Sequence, residues 1–366
     1  MALKDVIGQE RALSIIFGTL RNSRVPSAYL FAGESGIGKK FAAINLAKSV
    51  NCLRGAVDYQ PLFGSSEKGS ETLSGIEEFG GRPVDCCDAC ASCRKIDSLA
   101  HPDLLVIAPE KGEIRVDEIR RVGGALSLKP YEGRRKIVII DDAHAMNQSA
   151  ANAFLKTLEE PPEESLLVLV TPHPDKLPET IRSRCSQITF SPLSSDMCEK
   201  VIREVHGKHG KRPEVISGLP TMVKLCMGRP GLAFSSDRLK ERDRCITLLE
   251  RMAGGEGEMW VDREEMEQWL DMTCVLLRDM ALARITQEST GGHAHSPRSS
   301  EEALLNLDVQ DFIWGIAAQN ALRDIVEVYE KLIALKGVLS FNLNRAVTWN
   351  YVSNIIQNLG KLRRTR

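Results

Sequence analysis

The sequence predicts a phosphate-binding α/β domain, with a parallel sheet covered by helices on both faces, followed by a small helical segment and an all-α domain. Three observations carry this. A short apolar strand at 28–32 runs straight into the glycine-rich loop Gly33-Glu34-Ser35-Gly36-Ile37-Gly38-Lys39-Lys40 and then into a helical pattern. Further apolar strands at 103–108, 137–140 and 166–170 alternate with helical patterns, the order of a parallel sheet with crossover helices. Beyond about residue 236 the chain is nearly all helical pattern, with one unbroken stretch over 311–335, a last helix over 345–357, a low-complexity loop over 286–300 that holds His293 and His295, and a basic tail over 360–366.

Taken in order, residues 3–22 place apolar side chains at helical spacing and lead through Pro26 into the first strand. The loop that follows fits GxxxxGK. In such a loop Gly33, Gly36 and Gly38 let backbone N–H groups cradle phosphate oxygens, and Lys39 meets the outer phosphates. The next position normally holds a hydroxyl that ligates Mg²⁺, and here it is Lys40. An ammonium cannot ligate a cation, so ATP binding at this degenerate site is open. Lys40 either stands where Mg²⁺ would sit, allowing metal-free binding, or fills the pocket.

Residues 54–84 are rich in Gly, Ser and Glu without a sustained period and read as a mobile insertion. The insertion ends at a CxxCxxC run. Cys87, Cys90 and Cys93, with Cys52 from before the insertion, make a Cys₄ set suited to structural zinc; Cys86 competes with Cys52 for the fourth place. The segment 120–136 then gathers Arg120, Arg121, Lys129, Arg134, Arg135 and Lys136, either as a solvated face or as a surface turned toward nucleic acid or a partner's phosphates.

The strand 137–140 ends in Asp141 and Asp142, the layout of a Walker B element. The first aspartate would hold Mg²⁺ and the second would polarise an attacking water; Asp142 is one methylene shorter than the glutamate usual there. His144 reads as structural. Asn147 or Ser149 caps the next helix, which Pro161-Pro162 ends. Thr171 or Pro172 falls at the tip of the following strand, where a γ-phosphate sensor would sit, and a loop then enters Glu179-Thr180-Ile181-Arg182-Ser183-Arg184-Cys185.

Composition bounds the rest. The 366 residues suffice for two or three domains, and 43% hydrophobic, 27% charged and 5% aromatic residues suit a soluble, helix-rich, aliphatic core. A formal net charge of -1 argues against a protein that coats DNA on its own. No apolar run spans a bilayer, and a cytoplasmic location with reduced cysteines is expected.

With the glycine loop, the cysteine cluster, FLKTLEEPP (154–162) and SRC (183–185) in order, the chain resembles the bacterial DNA polymerase III clamp-loader subunits of the AAA+ class. The resemblance covers residues 1 to about 235 by motif. It implies an AAA+ domain with its zinc module over 1–190, a helical lid over 191–235 and an all-helical oligomerisation collar over 236–366. Motor subunits keep the loop hydroxyl, an Asp-Glu pair and a lid arginine; this chain has Lys40, Asp142 and, in that arginine's place, Gly231. These departures imply the delta-prime branch, without ATPase activity of its own, in which Arg184 is an arginine finger in trans. The implied partners are motor and clamp-opening subunits in a hetero-oligomer and, through it, the sliding clamp and primed DNA, with no membrane. Two other readings are an ATP-hydrolysing motor-type subunit and a zinc-dependent nucleic-acid adaptor.

Overall fold

Alternation along the central strands decides the architecture. The strands are β1 (Ala28–Ala32), β4 (Leu104–Ile107), β5 (Lys136–Ile140), β6 (Ser165–Thr171) and β7 (Ser186–Thr189), paired in parallel in the order β4-β5-β6-β1-β7. Tyr29, Phe31, Ile137, Ile139, Leu166, Val168 and Val170 enter one core, while Ala28, Leu30, Val138, Ile140, Leu167 and Leu169 enter the other. Successive side chains leave a strand on opposite faces, so apolar residues at both parities demand a helical layer on each side. Helices α1 (Glu10–Arg21) and α2 (Lys39–Asn51) supply the first core. Helices α4 (Val116–Leu126), α5 (Gln148–Glu159) and α6 (Glu179–Arg182) supply the second. Helix α3 (Ala91–Asp97) follows the cysteine run.

The computed structural model describes residues 1–22, 24–54, 78–79, 82–83, 85–110, 112–209, 218–235, 238–254, 260–289, 304–339, 343–357 and 359. Of the insertion expected over 54–84, the described part is Arg54 and the short antiparallel pair β2 (Glu78–Phe79) and β3 (Arg82–Pro83); the rest lies outside the described residues, as do His293, His295 and the basic tail 360–366. The chain divides into two compact units, Met1–Val201 with Gly228–Gly231, and Ile202–Met227 with Leu232–Arg366. Helix α7 (Ser195–His209) runs through the division.

Three helix boundaries differ from the sequence reading. Residues 3–22 are not one helix: a 3-10 turn over Leu3–Asp5 precedes α1, because Gly8 takes φ +72° and a Cβ there would meet Leu193 at 2.9 Å. In the second unit the helices are α8 (Leu219–Cys226), α9 (Leu232–Ser235), α10 (Arg238–Ala253), α11 (Arg263–Ser289), α12 (Gln310–Gln319), α13 (Leu322–Gly337) and α14 (Arg345–Gln357). The pattern over 311–335 breaks into α12 and α13 at Asn320, whose side-chain amide donates to the Ile316 carbonyl and caps the helix end. Helix α11 runs into the expected 286–300 loop as far as Ser289, with the Thr286 hydroxyl donating to the Leu282 carbonyl. The core of this unit centres on Trp260, whose ring meets Trp269 at 5.4 Å and Trp349 at 4.9 Å. Among the described residues, no helix is long and apolar enough to cross a membrane.

Outside the elements, the α4–β5 loop is held by backbone hydrogen bonds. Asp103, 2% exposed, accepts from the N–H groups of Tyr131 (2.7 Å), Glu132 (2.9 Å) and Gly133 (2.7 Å). Burial works to raise the Asp103 pKa; these N–H groups and Lys136 outweigh it and hold the carboxyl below the usual carboxylate range. A depressed folded pKa means this stabilisation is complete above the carboxylate range and fades only as acid protonates the folded form. Asp103→Ala leaves three part-buried donors without their acceptor and is expected to destabilise the unit by roughly 1–3 kcal/mol near neutral pH, read as a lower urea midpoint; the difference from wild type should shrink only in strong acid.

Candidate nucleotide cleft, cysteine cluster and exposed arginine

At the carboxyl end of β1 the chain turns through Gly33, Gly36 and Gly38, all with positive φ (139°, 82° and 97°). Gly33 has no alternative: a Cβ there would run into the Phe190 carbonyl oxygen and the Ile37 side chain. The loop delivers Lys39 to the start of α2, only 5% exposed, with its ammonium donating to the carbonyls of Gly33 and Glu34. Burial is the largest influence on it, lowering its pKa to about 8 against the pull of Asp142, Asp141 and Glu34. It remains mostly cationic at neutral pH.

The adjacent lysine is used differently. Lys40 Nζ lies 2.9 Å from Asp141 Oδ2, so the ammonium that replaces the usual hydroxyl pairs with the carboxylate at the end of β5. Asp142, next along, sits in the left-handed region at φ 46°. His144 Nδ1 stands 4.0 Å from Asp142, and the His144 and His173 rings meet edge-on at 5.1 Å; burial lowers the pKa of both. Thr171 is fully buried, and its hydroxyl oxygen accepts from the His173 N–H.

The segment 228–231 closes on the same loop. The Gly231 N–H donates to the Gly36 carbonyl at 2.8 Å, and Arg229 pairs with Glu34 at 3.3 Å. This pairing across nearly two hundred residues had no local signal.

Helix α2 ends at Asn51, and Cys52 follows as its C-cap. The sulfurs of Cys52, Cys87, Cys90 and Cys93 all lie within 4.8 Å of one another. A tetrahedral site with Zn–S bonds of about 2.3 Å spaces its sulfurs about 3.8 Å apart, so the donor set and its spread fit a metal ion. Backbone N–H groups already point at two of the sulfurs: Cys87 N to Cys52 (3.3 Å) and Cys93 N to Cys90 (3.4 Å). Cys86, the competing ligand, is outside this group of four.

Helix α5, capped by Asn147 accepting from the Ala150 N–H at 2.8 Å, ends at Glu159 beside Arg184. The Arg184 guanidinium donates to Glu159 Oε1 and to the Thr180 carbonyl, each at 2.9 Å, and its side chain is 37% exposed. The LEEPP and SRC motifs therefore meet in space. Cys185 is half-buried, and burial pushes its thiol up to about 12, far from a nucleophile's range.

Comparison with known proteins matches residues 78–194 to the family model described as DNA polymerase III, delta subunit. The chain is 28% identical over 291 residues to DNA polymerase III subunit delta' of Bacillus subtilis, covering 76% of this chain and 79% of that protein. The chain thus resembles the delta' and tau/gamma subunits of DNA polymerase III. It is 34% identical over 212 residues to subunit tau of Escherichia coli, covering 57% of this chain but only 29% of tau. Among solved structures, a gamma subunit-related protein of Thermotoga maritima aligns over 95% of this chain and 99% of its own with 20% identity and a TM-score of 0.41.

The parallel sheet carries its glycine loop at the carboxyl end of β1. What distinguishes the cleft is the backbone contact at Gly231. A Cβ at that position would meet Gly36 Cα at 2.8 Å and the Gly36 carbonyl at 2.9 Å. Gly231→Ala is expected to push the two backbones apart and to cost roughly 1–3 kcal/mol, seen as a lower unfolding midpoint than for Gly124→Ala, which has open space around it.

Proposed function

We propose that this chain is a non-motor, delta-prime-like subunit of a clamp loader. It joins motor and clamp-opening subunits in a ring that places the sliding clamp on primed DNA, and it leaves ATP hydrolysis to its neighbours. The observation that carries this reading is the 2.9 Å ion pair between Lys40 and Asp141. In P-loop ATPases Mg²⁺ sits between the loop hydroxyl, the Walker B aspartate and the β- and γ-phosphates. Here the hydroxyl is absent and the aspartate is paired with an ammonium, so one protein ligand to the metal is missing and the other is already met by a positive charge. The left-handed, shortened Asp142 and the glycine at 231 weaken the remaining catalytic positions in the same direction. No observation favours the motor-type alternative.

In this reading the working residue is Arg184, offered in trans to the γ-phosphate of ATP on the adjoining subunit. Its pairing with Glu159 supports this. An exposed ion pair is worth about 0–1 kcal/mol, enough to orient the guanidinium and little to give up when a phosphate arrives. Helices α7 to α9 would form the lid, and the helices from α10 onward a collar for oligomerisation. The four cysteines would hold a structural zinc ion, which as a closed Cys₄ site contributes folding energy and no chemistry.

The isolated protein is expected to hydrolyse ATP no faster than background. In a complex reconstituted with tau/gamma-type and delta-type subunits, the clamp and primed DNA, Arg184→Ala should reduce DNA-stimulated turnover by roughly ten-fold or more. Motor-like turnover by the isolated chain, or unchanged turnover in the Arg184→Ala complex, contradicts the assignment. For the metal, purified protein should carry about one zinc per chain, and Cys52→Ser should lose it and melt at a lower temperature; protein free of zinc with four freely alkylated thiols excludes the site.

A further inference from the structure

The α4–β5 loop displays the most exposed large apolar side chain among the described residues, Tyr131 at 84%, with Leu128 at 65% three residues before it. Lys129 and Arg134 are also exposed. A run of charges on a surface loop is normally just solvated, and such a loop has no reason to be rigid. This one is fixed along residues 131–135. Asp103 holds the N–H groups of residues 131–133, as described above. Asn51 takes the next two: its Oδ1 accepts from the Arg134 and Arg135 N–H groups at 3.0 Å, and its amide donates to the Arg135 carbonyl at 2.9 Å. Asn51 directly precedes Cys52, so the loop is fastened to the cysteine cluster. Lys95 of α3 closes the junction by pairing with Glu132 at 2.7 Å, which also neutralises the loop's own carboxylate.

The outcome is a preorganised platform with an excess of positive charge on a chain whose formal net charge is -1, centred on an aromatic face left in water. A protein partner buries such a ring in a pocket of its own, whereas a nucleic-acid base needs only the flat face and cations spaced to meet the backbone. Aromatic stacking combined with basic side chains is the pattern of sequence-tolerant single-strand binding. We infer that the 127–135 loop, buttressed by the cysteine cluster, is a contact surface for single-stranded nucleic acid, with Tyr131 stacking on a base and Lys129 and Arg134 meeting phosphates. The inference does not depend on Arg184 or on the nucleotide cleft.

Fluorescence anisotropy of labelled oligo(dT) with the full chain, repeated over a range of salt, tests it. Wild type should bind with an affinity that falls as salt rises. Tyr131→Phe should bind like wild type, and Tyr131→Ala roughly ten-fold more weakly. Lys129→Ala and Arg134→Ala should each reduce the log–log salt slope by about 0.7, with circular dichroism and metal content unchanged. The inference is overturned if oligo(dT) does not bind wild type, or if Tyr131→Ala binds like wild type. It is equally overturned if labelled polyglutamate binds more tightly than oligo(dT) and loses affinity in the same variants, which would make the surface a dock for an acidic protein.

Discussion

The Lys40–Asp141 ion pair joins the first turn of α2 to the end of β5, and the character of the cleft follows from it. Its energy is small. One partner is 44% exposed and the other 20%, and half-exposed pairs contribute about 1 kcal/mol at most. Its importance is positional: the ammonium stands against the carboxylate that a divalent cation would otherwise require. With that carboxylate engaged, the surrounding groups settle onto one another. Lys39 donates to carbonyls of its own loop, Arg229 pairs with Glu34, and Gly231 hydrogen-bonds to Gly36.

Helix α2 carries this arrangement to the opposite end of the sheet. It spans about 20 Å at 1.5 Å per residue, from Lys39 at the glycine loop to Asn51 beside Cys52. It is buried nearly all round, and its buried polar residues serve the cysteine module. Ser49 donates to Asp85 at 2.9 Å, Lys48 pairs with Asp97 at 2.9 Å and with Asp88, and Asn51 holds the 134–135 backbone. Burying Lys48 is tolerable only because both carboxylates meet it, since an isolated buried charge costs several kcal/mol. The cysteine cluster, the α4–β5 loop and the glycine loop are thereby tied to one rigid rod.

Much of the fold was legible because the periodicities were strong. The strands β1, β4, β5 and β6 and the helices α2, α4, α5 and α14 fall within a few residues of their expected places. Where expectation missed, a local residue overrode the pattern: the positive φ of Gly8 split the first helix, and the Asn320 cap split the pattern over 311–335. Both are single-residue decisions that an averaged periodicity cannot register.

By itself, the sequence determined the chemistry available: a glycine loop with lysine in place of a hydroxyl, paired aspartates after a strand, three cysteines at metal-ligand spacing with the fourth ligand left open, and an arginine in SRC. Those follow from residue type and short spacing, which the covalent chain sets. The tertiary structure alone decided which groups meet. It chose Cys52 over Cys86 for the group of four, set Lys40 on Asp141, placed Glu159 beside Arg184, and made Asn51, Ser49 and Lys48 buried anchors. These pairings join residues tens to hundreds of positions apart. They exist because a sheet apolar on both faces must be covered on both sides, and that covering brings distant polar groups together out of water, where each must find a partner.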